Sequence, residues 1–419
     1  MDRLSYPSVH VQQIPCNAQP LTGAPTSVAA FIGRTSTGPV DKAVRVRSWS
    51  EFTNTFGGAL PGSELSVSIR LFFENGGTEC QVVRVGGDEP IAADVLGSKS
   101  ARTGMYALDA VSDVNILILP SDTEIDLSGA WAPASQYCAR RGAFLLIDPP
   151  AGWTRAGRAE AAHNPYLVDE LRRGADQDHC AAFYPRLMVS DEGEARAVGP
   201  SGAVAGLMAR TDAEKGVWAS MAGLGADLRS VDRLEVELDE REVNNLTVQG
   251  VNPLLRKNGK CVSWGNFTFR SLFEPPTGLR YIPVARTKMF LEGSVRRGTQ
   301  WTAFELNDEV LWAKVRTHVT EFMLRLWRFN AFVGDAPSQS FYVKCDAETT
   351  AIEDRARGVL NLQVGFAPLR PAEFLVIRVQ CQAVPAAPPA PTVVRPTLNV
   401  GRVISSSGRT TNPGSRTYP

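Results

Sequence analysis

Neither sign of charge dominates this chain, in which 44 Lys and Arg stand against 44 Asp and Glu. Such a balance gives no reason to expect nucleic acid or a membrane surface as a partner. It also favours association between copies, which a large net charge would oppose. Long hydrophobic runs are missing as well. Stretches such as Ile116–Leu119 and Ala143–Ile147 fall far short of the roughly 20 residues that a spanning helix needs. The opening Met1–Pro7 has no charged stretch followed by an apolar one, so no secretory leader is expected and the chain is expected to be made and kept in the cytosol. Cysteine is sparse: seven, at 16, 80, 138, 180, 261, 345 and 381, with no C-x-x-C pair. That odd, scattered set argues against a disulfide framework and predicts reduced, mostly buried thiols.

What is present is enough apolar residue for two or three packed domains, 43% of 419 residues. Val9 and Val11 alternate with His10 and Gln12, which predicts a short strand between Pro7 and Pro15. A turn-rich connector, Asn17 to Pro25, follows it, so its pairing partner is expected far away or on another chain. Then come a buried strand over Ser27–Gly33, a helix over Ser48–Phe56 with Ser48 as N-cap, a helix over Glu64–Asn75 ended by Gly76 and Gly77, and a strand over Cys80–Val85.

From Gly86 to about Leu238 buried strands alternate with helices: Val114–Leu119, Trp131–Arg140, Ala143–Asp148, Pro165–Arg173 and Cys180–Tyr184. That alternation predicts an α/β layer with parallel strands. Ser201 is expected to cap a helix reaching about Ala209, with Gly202 and Gly206 one turn apart for close packing. A long helix is expected from Asp308, its buried stripe formed by Leu311, Val315, Val319, Phe322 and Leu326 and its end set by Gly334. Val359–Phe366 and Phe374–Cys381 alternate as strands. Beyond them the composition turns to Pro, Ala, Ser, Thr and Gly, which predicts a disordered or extended tail.

Several of these segments resemble the contractile tail sheath family of myophage tails, R-type bacteriocins and extracellular contractile injection systems. The resemblance rests on Arg297-Gly298-Thr299 and Trp301 before an expected strand, Glu305-Leu306-Asn307-Asp308-Glu309 before Leu311-Trp312, then Leu326-Trp327, Ala331 and Phe341–Asp346. It extends to TSVAAFIG, SWSEFTNTFGG, LFFENGG and CQVVRV near the start and to Pro200–Trp218. The resemblance implies an α+β core domain completed by N- and C-terminal segments, with an inserted α/β domain. The corresponding boundaries are an N-terminal arm and linker over 1–25, core over 26–86, an inserted outer α/β domain over 87–242, core again over 243–366, a C-terminal linker and arm strand over 367–381, and the tail over 382–419.

It further implies a non-enzymatic subunit, without cofactor, that polymerises as stacked rings around an inner tube between a baseplate and a terminal cap, then contracts. The setting it implies is a contractile injection system or, on the same mechanism, a myophage tail, assembled in the cytoplasm. Arms of different subunits would complete a neighbour's sheet: Val9, His10, Val11, Gln12 and Ile14 at one end, Phe374, Leu375, Val376, Ile377, Arg378 and Val379 at the other. Asn17–Pro25 and Ala367–Ala372 would act as flexible linkers. On the long helix, Lys314, Arg316, Glu321 and Arg325 lie off the apolar stripe and could meet the tube or a neighbouring copy.

Enzyme readings find thin support. Gly223-Leu224-Gly225-Ala226-Asp227-Leu228 follows no strand and lacks the last small residue of a dinucleotide fingerprint; Gly259-Lys260 lacks the upstream glycine of a phosphate loop. Asp148, before Pro149 and Pro150, suits the start of a turn better than a catalytic carboxylate. His163, His179 and Cys180 match no zinc spacing. The run Glu235, Glu237, Asp239, Glu240 and Glu242 reads as a solvated face, or as a partner for basic residues of another copy.

Overall fold

The computed structural model describes residues 20–86, 91–123, 125–191, 193–275, 278–369 and 374–386. Nine strands form the main sheet: β1 (Ala29–Gly33), β2 (Ala43–Val46), β3 (Cys80–Arg84), β4 (Ile116–Ile118), β5 (Phe144–Ile147), β6 (Cys180–Tyr184), β7 (Asp227–Leu228), β8 (Val251–Lys257) and β9 (Lys260–Ser263). Their spatial order is β7-β9-β8-β6-β5-β4-β1-β3-β2. The six from β8 to β3 run parallel, and antiparallel strands close both sides.

The physical reason these segments sit centrally is burial on both faces, which turns alternation into continuous apolar runs. In β1, Phe31 faces a cluster with Phe52, Phe56 and Phe72, while Ile32 faces the other side with Trp131, Leu145 and Trp153. The helices that cover the sheet are α1 (Trp49–Phe56), α2 (Leu65–Glu74), α3 (Trp131–Arg141), α4 (Ser201–Lys215) and α5 (Glu240–Val248). Ser48 does cap α1, accepting from the Glu51 amide at 3.1 Å. α4 lies hard against α2 because Gly202 and Gly206 carry no side chain; a Cβ there would come within 2.1 Å of the Ser68 carbonyl oxygen and 2.4 Å of that of Phe72.

The expected boundaries at 87 and 242 fall inside this sheet. β1, from before the first boundary, lies between β3 and β4, and β8, from beyond the second, pairs with β6. Where the sequence suggests an inserted unit, the structure therefore has one continuous sheet; strands buried on both faces need neighbours on each side, and these come from all three segments. A smaller sheet joins Glu194–Val198, Leu187–Asp191 and Arg233–Leu234 beside it.

Two more helices, α6 (Ile282–Gly298) and α7 (Glu309–Arg328), and three strands, β10 (Phe341–Lys344), β11 (Val359–Phe366) and β12 (Leu375–Gln382), build a second region. Asp308 caps α7 by accepting from the Leu311 amide at 2.9 Å, and Leu311, Val315, Val319, Phe322 and Leu326 are buried as the stripe predicts. The helix stops at Arg328, before Gly334, because Asn330 takes the left-handed conformation (φ 56°). Arg297–Thr299 and Trp301 lead into a 3-10 turn over Gln300–Phe304 rather than a strand. The connector does not hang free from residue 20 to 25. Leu21 is buried in this region's core, its carbonyl accepts from Arg325, and the Ala24 amide donates to Ser294 Oγ at 2.8 Å. Residues 367–369 are similarly anchored at Ala367, whose amide donates to Ser340 and whose carbonyl accepts from Val333.

Candidate subunit interface

Asn307 organises the second region. Fully buried, it accepts from Trp312 Nε1 at 2.8 Å, donates through Nδ2 to the Val359 carbonyl at 3.0 Å, and takes Arg355 Nε on its own carbonyl at 2.9 Å. Its amide donates to Val384, beside the end of β12. One side chain thus ties α7, β11 and the loop before the helix.

The three strands are antiparallel in the order β10-β11-β12, and β12 pairs with β11 over eight positions, from Leu375↔Phe366 to Gln382↔Val359. One face packs on α7 through Leu360, Leu362, Val364, Phe366, Ile377 and Val379. The other is exposed and partly apolar: Tyr342 stacks on Phe374 at 6.0 Å and 13°, covers Gly365, and has Val376 across from that glycine. Among the described residues no strand lies beyond β12. The Ala383 amide points to Gly358 while that of Val384 points away, to Glu305. Strand alternation then turns the backbone groups of Val376, Arg378 and Gln380 away from β11, without a strand to receive them.

Of Phe374 to Val379, expected as an arm for another subunit, Leu375 to Val379 pair with β11 of the same chain and Phe374 lies just before the strand. A complete ladder to β11 and burial of Ile377 and Val379 hold the segment there. Val9, His10, Val11, Gln12 and Ile14 lie outside the described residues. On α7, Lys314 pairs with Glu305 at 3.2 Å, Arg316 donates to the Cys345 carbonyl, and Arg325 holds Leu21. Only Glu321 of the four is exposed without a hydrogen bond or ion pair among the described residues.

The enzyme-like features resolve into structural ones. Asp148 follows β5 directly and accepts from both the amide and the hydroxyl of Ser201, at 2.9 and 2.8 Å. Ser201 thus donates to a buried carboxylate instead of capping α4. Burial, helped by the nearby Glu64 carboxylate, pushes the Asp148 carboxyl up to about 7. Arg186 pairs with Glu64 beside it. His163 and His179 pair separately, with Glu242 at 3.0 Å and Asp176 at 2.9 Å. Among the described residues no three His, Cys, Asp or Glu side chains converge as metal ligands. Gly223 sits in a turn before β7, and Asn258-Gly259 is the left-handed turn of the β8–β9 hairpin. The six described cysteines are free and buried, and no described helix is long and apolar enough to cross a membrane.

Residues 274–382, which span α6 to β12, match the phage tail sheath C-terminal domain. The tail sheath protein of Burkholderia phage BcepMu is 28% identical over 306 residues, 69% of this chain and 61% of that protein. That of Vibrio phage KVP40 is 22% identical over 351 residues, 74% of this chain and 50% of that protein. The chain therefore spans between about half and three fifths of the length of these relatives. Among solved structures, the helical sheath of the anti-feeding prophage in its contracted state is similar at a TM-score of 0.69 and 24% identity, over 90% of this chain and 99% of that one. The PVC sheath of an extracellular contractile injection system, also contracted, gives 0.69 and 22%, over 90% and 98%. The chain has the fold of contractile sheath subunits.

Proposed function

We propose that this chain is the repeating subunit of a contractile sheath. Copies polymerise around an inner tube between a baseplate and a terminal cap, and the sheath shortens to drive the tube through a target envelope. The chain's part is mechanical, not catalytic. The observation that carries this reading is the likeness to two sheath chains over 90% of this one and nearly all of theirs, joined to the family match across 274–382. Near-complete coverage of those two chains, against partial coverage of the phage relatives, favours an injection system over a phage tail.

In this reading copies are joined by strand addition at the C-terminal sheet. The segment with Val9, His10, Val11, Gln12 and Ile14 supplies a strand, and the outward backbone of Val376, Arg378 and Gln380 on a neighbour receives it. Phe374 to Val379 serve as an accepting edge. Each subunit both gives and receives, so the contact is head-to-tail and propagates into helices or stacked rings. Contraction is a rigid-body change between two packings of such subunits.

Electron microscopy of the purified full chain, alone and co-expressed with its inner tube protein, tests the reading. Ordered tubes are expected. Removal of residues 1–19 is expected to leave a folded monomer by circular dichroism and no tubes. A chain that stays monomeric even with the tube protein would overturn it. Capsid and terminase genes beside this one would assign the sheath to a phage tail instead.

A further inference from the structure

The amino ends of the central parallel strands open into a cleft of about 570 Å³, framed by Pro25–Thr26 before β1, Ser112–Asn115 before β4, the end of α3 and the last turns of α6. Its charged lining consists of Arg140, Arg141, Arg286, Arg296, Arg297 and a single acid, Glu292. Some of these are committed within the chain. Arg286 pairs with Asp212 at 2.6 Å, Arg141 bonds Tyr137 and lies 3.7 Å from Asp109, and Glu292 is held by Lys288 at 3.1 Å. Among the described residues Arg297 donates only to the Ser112 carbonyl and has no carboxylate partner. Arg140 and Arg296 are exposed and make no side-chain hydrogen bond or ion pair among the described residues. The cleft therefore holds three positive charges without an ion-pair partner among the described residues.

The opposite edge of the same sheet carries a surplus of acid. Between Glu235 and Glu242 there are five carboxylates and one arginine, Arg241. The Glu235 amide donates to Arg186, just past the carboxyl end of β6, and its carboxylate takes the Thr154 hydroxyl. α5 then runs back to feed the amino end of β8. Asp239 and Glu242 are engaged in the capping box of α5, and Glu242 also holds His163. Glu237 and Glu240 are exposed, with no hydrogen bond or ion pair among the described residues. Arg233 and Arg241 flank them, so the acidic feature is local to these two side chains.

Opposite edges of one sheet cannot meet within a chain, but they meet when copies stack in the strand direction. Resting on the polymer proposed above, we propose that the arginine cleft of one copy seats the 235–242 segment of the next, with Arg140 and Arg296 facing Glu237 and Glu240. This contact is separate from strand addition at the C-terminal sheet and is equally head-to-tail.

Two full-length variants test it, Arg140→Glu with Arg296→Glu and Glu237→Arg with Glu240→Arg; Asp239 is left alone because it caps α5. Each is expected to fold by circular dichroism and to lose assembly by sedimentation and microscopy, and the chain with all four changes is expected to regain it. A fluorescent peptide of residues 232–243 gives a readout that needs no polymer. It is expected to bind the wild-type chain at low salt, to bind the Arg140→Glu/Arg296→Glu chain roughly tenfold more weakly, and to be released near 0.5 M salt, where charge is screened within about 4–5 Å. Equal binding to both chains, or a fourfold variant that stays unassembled while wild type polymerises, overturns the proposal. A wild-type chain that binds the peptide this way yet never forms tubes overturns the sheath reading and leaves the contact standing.

Discussion

The nine-stranded sheet and the three-stranded sheet of this molecule solve the same problem to different degrees. In the first, helices and loops cover both faces, and the outermost strands β2 and β7 are only four and two residues long. In the second, one face is packed on α7 while Tyr342, Phe374 and Val376 remain exposed on the other, and an eight-residue strand forms the outer edge. Short edges resist further pairing, whereas a long one invites it. The difference teaches that folding covers both faces of one sheet within the chain and keeps its edges short, and leaves the other with a long open edge and an uncovered face.

The sharpest way to break that contrast is inside the larger region. Gly202→Val would drive side-chain atoms into the Ser68 carbonyl, where even a Cβ is too close. Loss of several kcal/mol is expected, with much or all of the chain unfolded in a urea titration. In the smaller region, Asn307→Ala leaves Trp312 Nε1 and the Val359 carbonyl without partners, at a cost of about 2–4 kcal/mol in the same measurement.

A third change separates the regions by pH. The Asp148 carboxyl titrates near 7 when folded, far above its unfolded value, so the folded state holds the extra proton between about pH 4 and 7. Stability is therefore expected to fall as pH rises across that window, by at most about 1.4 kcal/mol per unit, and to level off above it. Asp148→Asn should flatten the curve. Replacing the half-buried Lys344 of the smaller region should leave it unchanged. The smallest effect on stability is expected from Tyr342→Ser with Val376→Ser, under about 1 kcal/mol in all for residues already exposed. If the exposed sheet face serves assembly, tube formation is nevertheless abolished; full-length tubes from this double variant would show that the face is only surface.

The main strands were legible because burial on both faces writes itself into consecutive residues, as in Phe144–Ile147 and Cys180–Tyr184, and Ser48 and Asp308 announced their helices through the unpaired amides that follow them. Strand partners were not legible. A strand's own period says which way its side chains point and nothing about its neighbour, so the continuity of the sheet across 87–242 had no local sign. α6 has no legible apolar period because Pro283, Gly293 and buried Arg286, Thr287 and Ser294 blur it. The cleft had no sign either, since Arg140 and Arg296 come from helices far apart in the chain.

Arg286 ties the second region to the first. From α6 it grips Asp212 on α4 and, through a second bond at 2.8 Å, the Thr26 carbonyl just ahead of β1. Through this bond a pull on α6 would load β1, which has parallel neighbours on both sides. Pulling a strand lengthwise loads all its ladder bonds in shear at once, whereas pulling from an edge would peel them one at a time. A fold riveted in this way would meet such a load along its stiffest axis.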